Sequence, residues 1–232
     1  MKKIIITAGG TSEKIDNVRK ITNSSTGKLG MIIANQIIKE NNNCVVYYIC
    51  SKNSLRPDNK NVKIIEIEGT SDLKNKIEHL LLNEKIDVFI HSMAVSDYTT
   101  DFVTTLDKLK KELINSTDLS GLECFYDSKI PSNEDNLVIV LKPTPKIISL
   151  IKKLSPKTYL VGFKLLDNVS KDLLINVAKN LRDKNHCDLV VANDLNNIRD
   201  GKHLAYIIDN NDVIEEAYSK DDIAKKLVKK IF

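Results

Sequence analysis

The chain has 232 residues, 42% of them hydrophobic, 28% charged and 5% aromatic, with no Trp. Its 35 basic and 31 acidic side chains leave a formal charge of +4. That composition excludes a collagen-like, disordered or disulfide-stapled chain, and so small a charge excess serves solubility rather than nucleic-acid binding. The length suits one large or two small domains, and a core that folds without disulfides or a structural metal.

The chain opens Met1-Lys2-Lys3 and runs through Ile4-Ile5-Ile6-Thr7-Ala8 into Gly9-Gly10. Only about five residues separate the lysines from the diglycine, too few for the apolar core of a signal peptide. No run approaches the roughly 18 apolar residues of a membrane span. A cytoplasmic protein without membrane or nucleic-acid partners is expected. Cys44, Cys50, Cys124 and Cys187 form no CxxC, and all but Cys124 sit in or beside apolar runs, as buried reduced thiols do. His79, His91, His186 and His203 have no ligand spacing, so no metal site is expected.

Short apolar runs at Ile4–Thr7, Val45–Ile49, Ile64–Ile67, Val88–Ile90, Leu137–Leu141, Leu160–Phe163 and Leu189–Val191 read as strands. Most are unbroken rather than alternating, as in strands covered on both faces. A helix is predicted over 31–39. Asp72–Asn83, after a Thr70-Ser71 cap, turns Leu73, Ile77, Leu80 and Leu81 to one face. Lys146–Leu154 does so with Ile147, Ile148, Ile151 and Leu154. Ser170 caps a helix that turns Leu173, Leu174, Val177, Ala178 and Leu181 inward, and Ser219 opens a last helix burying Ile223, Leu227, Val228 and Ile231.

Strand–helix alternation predicts an α/β fold with a doubly wound, mostly parallel sheet. Asn210-Asn211, between Ala205–Ile208 and Val213–Tyr218, predicts a late antiparallel hairpin extension. Tyr98–Asn136 is weakly periodic and reads as a long loop, usually a functional element. No repeat or Pro/Gly-rich linker divides the chain, so a single domain over 1–232 is expected.

A glycine turn closing the first strand is where doubly wound folds bind phosphate. Glycine returns in Asn23-Ser24-Ser25-Thr26-Gly27-Lys28-Leu29-Gly30, whose hydroxyls and backbone N–H groups suit an anion at a helix start; Gly30 would let that helix pack close to the sheet. A P-loop fails, because Thr22 stands at the required first Gly and Leu29 at the required Ser/Thr. GxGxxG is absent and strand two ends Ile49-Cys50-Ser51-Lys52 without an acidic residue. Lys52 keeps an NADP-binding reductase as the alternative.

Together these segments resemble phosphopantothenate–cysteine ligase (phosphopantothenoylcysteine synthetase) of coenzyme A biosynthesis. The family's ITAGGT turn is matched by Ile6–Thr11, and its Arg followed by SNxSSGKMG by Arg19 and Thr22–Gly30. Ala94-Val95-Ser96-Asp97-Tyr98, Lys129-Ile130, Val161-Gly162-Phe163 and Ala192-Asn193-Asp194 follow in order. The resemblance runs from residue 3 to about 231 and implies a Rossmann-like fold. It implies ligation of 4′-phosphopantothenate to L-cysteine through an acyl-cytidylate, with CTP as co-substrate and Mg²⁺ as cofactor. It further implies a homodimer of the standalone bacterial type, without flavin.

Carried onto this chain, the resemblance makes Asn23 and Lys129 catalytic. Lys110 and Lys111 compete for the latter role, because Thr99–Ser128 is an insertion. Gly9, Gly10, Ser25, Gly27 and Gly30 become substrate-binding phosphate positions. Met93, Ala94 and Asp97 fall in the block that contacts substrate and nucleotide, with Met93 and Ser96 departing from the usual alanines. Lys142, Thr144, Pro145, Phe163, Lys184 and Asn193 become nucleotide neighbours. The partner of Lys184 is Lys179, Asn180 or Arg182. Arg19 is implied to reach the other subunit's substrate.

Overall fold

The computed structural model describes residues 1–115, 118–125, 129–199 and 202–232. Its main sheet has eight strands. In chain order these are β1 (Lys2–Ala8), β4 (Cys44–Ser51), β5 (Val62–Ile67), β6 (Val88–His91), β9 (Tyr159–Leu166), β10 (Leu189–Asp194), β11 (Ala205–Asp209) and β12 (Ile214–Ala217). Across the sheet the order is β12-β11-β10-β9-β6-β1-β4-β5. The first six are parallel, and numbered by themselves they run 3-2-1-4-5-6, the doubly wound order of dinucleotide-binding folds. β11 and β12 add the expected antiparallel hairpin at one edge, turning through Asp212 at φ 62°.

Helices cover both faces. Beneath α1 (Lys28–Glu40) and α6 (Lys220–Ile231) one core layer gathers Ile4, Ile6, Ile33, Ile37, Ile223 and Leu227. Beneath α2 (Thr70–Asn83), α4 (Ile147–Leu154) and α5 (Lys171–Asn185) the other gathers Ile5, Leu73, Ile77, Ile151, Leu174 and Ala178. Successive β1 isoleucines therefore serve opposite layers, which is why the strand reads as an unbroken apolar run. Each fully buried isoleucine contributes about 1.5–3 kcal/mol of transfer free energy.

Three local expectations are corrected. Leu173 is exposed on α5, although Ser170 caps that helix by accepting from the Leu173 N–H. Thr70 does not cap α2 but begins it; the Glu13 carboxylate accepts from its N–H and its hydroxyl, each at 2.8 Å, so the cap comes from a distant strand. The stretch 98–136 is not one loop. It holds β7 (Tyr98–Thr105) and α3 (Leu106–Asn115), and β7 pairs antiparallel with β8 (Leu137–Pro143) in a separate sheet. Leu137–Leu141 thus forms a strand, but outside the main sheet. A second small hairpin, β2 (Ser12–Lys14) with β3 (Lys20–Thr22), leads from the diglycine turn to Asn23.

Candidate active site

β1 lies between β4 and β6, so the order in which successive parallel strands are added reverses beside it and a crevice opens at the strands' carboxyl ends. Three segments knot together there. The Ala94 N–H donates to Gly9 O at 2.9 Å and Thr11 N–H to Ala94 O at 3.1 Å. Asn23 N–H donates to Thr11 O at 3.2 Å, and its side-chain amide lies 3.4 Å from Ala94 O. The Thr11 hydroxyl accepts from Ser96 N–H at 2.8 Å and donates to the Ser96 hydroxyl at 2.9 Å. The Thr144 hydroxyl then donates to Ser96 O at 2.5 Å, fastening the β8–α4 turn to the same knot.

Glycine is required here by space. A Cβ on Gly10 would stand 1.9 Å from Asn23 O, and one on Gly30 only 2.6 Å from the Ala8 Cβ. Gly30 thus lets α1 sit directly on β1, as its position implies. Tyr48, fully buried on β4, donates to Gly27 O at 3.3 Å and Leu55 O at 3.0 Å, holding the turn into α1 from beneath.

The knot walls a cavity of about 740 Å³. It gathers Ser25, Gly27, Gly30, Met93, Ala94, Asp97, Thr144, Pro145, Phe163, Lys184 and Asn193 from among the expected positions. Gly10 and Asn23 line a neighbouring cavity that shares Ser24, Ser25 and Thr26 with the first. Gly9 lies beneath, at φ +84°, packed on Ser54. Lys142 stands outside both cavities on β8, in an ion pair with Asp101 at 3.0 Å. Lys52, the residue that kept the reductase open, lines the neighbouring cavity and not the switch-point one.

Lys129 is exposed and outside both cavities, and Lys110 and Lys111 lie on α3, also outside. Serine 128, at the insertion's end, falls outside the described residues. Arg19 joins the Lys129 segment: its guanidinium donates to Ile130 O at 3.3 Å and pairs with Asp16 at 3.3 Å. The Asp16 carboxylate accepts N–H bonds from Arg19, Val18 and Ile130, which hold it below the usual carboxylate range.

Sequence reasoning missed His91, Lys146, His203 and Lys220, all on the cavity wall. Lys146 pairs with Asp97 at 2.5 Å across the rim. His91 is buried, its Nδ1 2.8 Å from the Thr7 hydroxyl, and burial lowers its pKa to about 4. His203 is likewise pushed to about 4, by burial first and then by Lys220. Only position after a strand end could have marked His91. Nothing local marks His203 or Lys220, which the fold brings in from the far edge.

The chain matches the profile of the family described as DNA/pantothenate metabolism flavoprotein C-terminal domain over residues 1–123 and 121–232. It is 36% identical over 194 residues to the coenzyme A biosynthesis bifunctional protein CoaBC of Thermococcus kodakarensis, covering 84% of this chain and 41% of that protein. The chain spans half or less of the first such relatives. The crystal structure of the DNA/pantothenate metabolism flavoprotein from Streptococcus pneumoniae superposes with a TM-score of 0.89 at 39% identity, covering 100% of this chain and 98% of that one. A Cab2 H337A mutant complex with phosphopantothenate-cysteine shares the fold, with a TM-score of 0.69 at 16% identity over 99% of this chain and 87% of that one. These matches leave the reductase reading without support.

Proposed function

Because the chain belongs to the DNA/pantothenate metabolism flavoprotein C-terminal domain family, we propose that it is a ligase of coenzyme A biosynthesis, joining 4′-phosphopantothenate to L-cysteine. The observation that carries this reading is the knot of Gly9–Thr11, Asn23 and Ala94–Asp97 at the switch point, beside a cavity of nucleotide size. The Streptococcus pneumoniae relative matches over nearly its whole length, and the product-bearing neighbour has the same fold.

A carboxylate is a poor electrophile. Its oxygen therefore attacks the α-phosphorus of CTP, the bond to the bridging oxygen breaks, and pyrophosphate leaves with the electron pair. The cysteine amine then attacks the acyl carbonyl and expels CMP, losing its proton to solvent. Both steps crowd anions, so the protein's work is positioning and positive charge. Asn23 presents a neutral amide beside the shared wall of the two cavities, orienting the substrate carboxylate without pinning it as an ion pair. Ser25, Gly27 and the start of α1 receive phosphate oxygens. Phe163, Thr144, Pro145 and Lys184 flank the nucleoside.

Mg²⁺ keeps most of its waters and takes one or two carboxylates besides phosphate oxygens. Asp97, exposed at the rim beside Lys146, fits that demand. When bound, the ion neutralises triphosphate charge.

Lys129 and Arg19 stand together off their own chain's cavity, and this supports a homodimer in which they face the other subunit's substrate. A row of apolar side chains supports the same assembly: Leu137, Ile139 and Leu141 alternate along one exposed face of β8. No described helix is long and apolar enough to cross a membrane, in keeping with a cytoplasmic enzyme.

The test is to omit cysteine and trap the intermediate. Enzyme, CTP and phosphopantothenate should yield a species with the mass of 4′-phosphopantothenoyl-cytidylate; its absence, with substrates bound, contradicts the reading.

A further inference from the structure

Lys52 takes no part in the switch-point cavity; it lines the neighbouring one, of about 1010 Å³, together with Gly10, Asn23 and Ser25. The charged side chains on that wall are Lys20, Lys52, Glu66, Glu68 and Asp72. Lys20 and Lys14 pair with Glu68, and Arg56 pairs with Glu66 at 2.8 Å. Lys52 and Asp72 remain, and neither forms an ion pair among the described residues, with the other or with a third group. Asp72 spends one carboxylate oxygen on the Glu68 N–H at 3.2 Å and leaves the other open.

The turns that carry these two residues are fastened to the substrate knot. Lys52 follows β4 in a turn where Ser54 N–H donates to Ser51 O at 3.0 Å and Leu55 N–H donates to Thr26 O at 2.9 Å. Asp72 lies in the first turn of α2, which is tied from the other side: Ser12 N–H donates to Glu68 O at 2.9 Å, and the Glu13 carboxylate holds Thr70. Leu55 and Ile67 add apolar surface to the same cavity. A cation and an anion on fastened turns, facing one cavity without pairing, suit a ligand that carries both charges.

We infer that this cavity is the L-cysteine subsite, with the amino acid's carboxylate on Lys52, its ammonium on Asp72 and its thiol against Leu55 and Ile67. The inference rests on the ligase reading above. Asn23 lines this cavity and not the switch-point one, so an acyl group oriented by Asn23 meets the amine on the side away from the nucleotide. The ammonium releases one proton to solvent and its nitrogen bonds to the acyl carbon. The bond from that carbon to the phosphate oxygen breaks, CMP leaves with the electron pair, and the nitrogen gives a second proton to solvent.

Steady-state ligation by the intact protein of L-cysteine and of cysteamine, which keeps the amine and thiol but lacks the carboxylate, tests it. Lys52→Gln should raise the KM for L-cysteine about ten-fold while kcat and the rate of acyl-cytidylate formation change by less than about two-fold. Lys52→Arg should restore most of the loss. With cysteamine, Lys52→Gln should match wild type, whereas Asp72→Asn, which still accepts the Glu68 N–H, should raise the KM for both amines. Equal weakening of L-cysteine and cysteamine by Lys52→Gln, or of neither, overturns the subsite, and so does an Asp72→Asn variant that changes neither. Wild type that forms no acyl-cytidylate contradicts the ligase reading instead. Calorimetric titration with L-cysteine then decides the subsite: binding that Lys52→Gln weakens supports it, and binding independent of Lys52, or none, overturns it.

Discussion

The Ile130 N–H donates to the Asp16 carboxylate at 3.2 Å, across 114 residues of sequence. Ile130 is fully buried, whereas its neighbour Lys129 is exposed. The segment is therefore anchored at one residue and presents its ammonium at the next. Arg19 closes the arrangement by donating to Ile130 O.

Asp16→Asn removes the charge that accepts these N–H groups and should loosen Lys129 without disturbing the cavity. We expect kcat for ligation to fall several-fold, CTP affinity to stay unchanged, and proteolysis near residue 129 to accelerate. Unchanged kcat and proteolysis would show that the anchor does not position Lys129.

Lys129→Ala should abolish acyl-cytidylate formation while the chain keeps its fold and its CTP affinity. Single-turnover measurement without cysteine reads this step alone. If the variant makes intermediate at the wild-type rate, the role passes to Lys110 or Lys111.

Gly30→Ala places a methyl 2.6 Å from the Ala8 Cβ, backbone-borne on both sides, so α1 must lift from β1. Overpacking of this kind costs about 1–3 kcal/mol. Urea denaturation should report that loss, together with weaker CTP binding because Gly27 and Lys28 move with the helix. Full stability would show that α1 has room to spare.

His91 has a pKa of about 4 in the fold against an ordinary 6.5, through burial alone. Between those values the unfolded chain takes up a proton that the folded chain refuses. Stability is thus complete above about pH 6.5 and is lost as pH falls toward 4, by about 3 kcal/mol from this group. His203 acts in the same direction. Denaturation midpoints at pH 7.5 and 4.5 should differ accordingly, and His91→Asn should reduce the difference; an equal difference in the variant would contradict the assignment.

The central sheet was legible because its strands are covered on both faces, which writes them as apolar runs such as Ile4–Thr7 and Val88–Ile90. The antiparallel pair β7–β8 was not, because its exposed face breaks that pattern and a long stretch of chain separates Thr105 at the end of one strand from Leu137 at the start of the other. The diglycine turn and the Asn23–Gly30 segment were readable because backbone approach and helix entry restrict residue choice locally, whereas Ala94–Asp97 was marked only by the family resemblance. His203 and Lys220 were not readable, since only the order β10-β11-β12 and the return of α6 bring them to the cavity. The resemblance at the Thr144-Pro145 turn makes Lys142 a nucleotide neighbour, whereas in the fold it pairs with Asp101 outside both cavities.

Pyrophosphate release in the presence of 4′-phosphopantothenate and L-cysteine, followed separately with CTP and with ATP, tests the ligase claim most directly. The account predicts release dependent on both substrates and faster with CTP, with one 4′-phosphopantothenoylcysteine formed per pyrophosphate. No release with either nucleotide would contradict it.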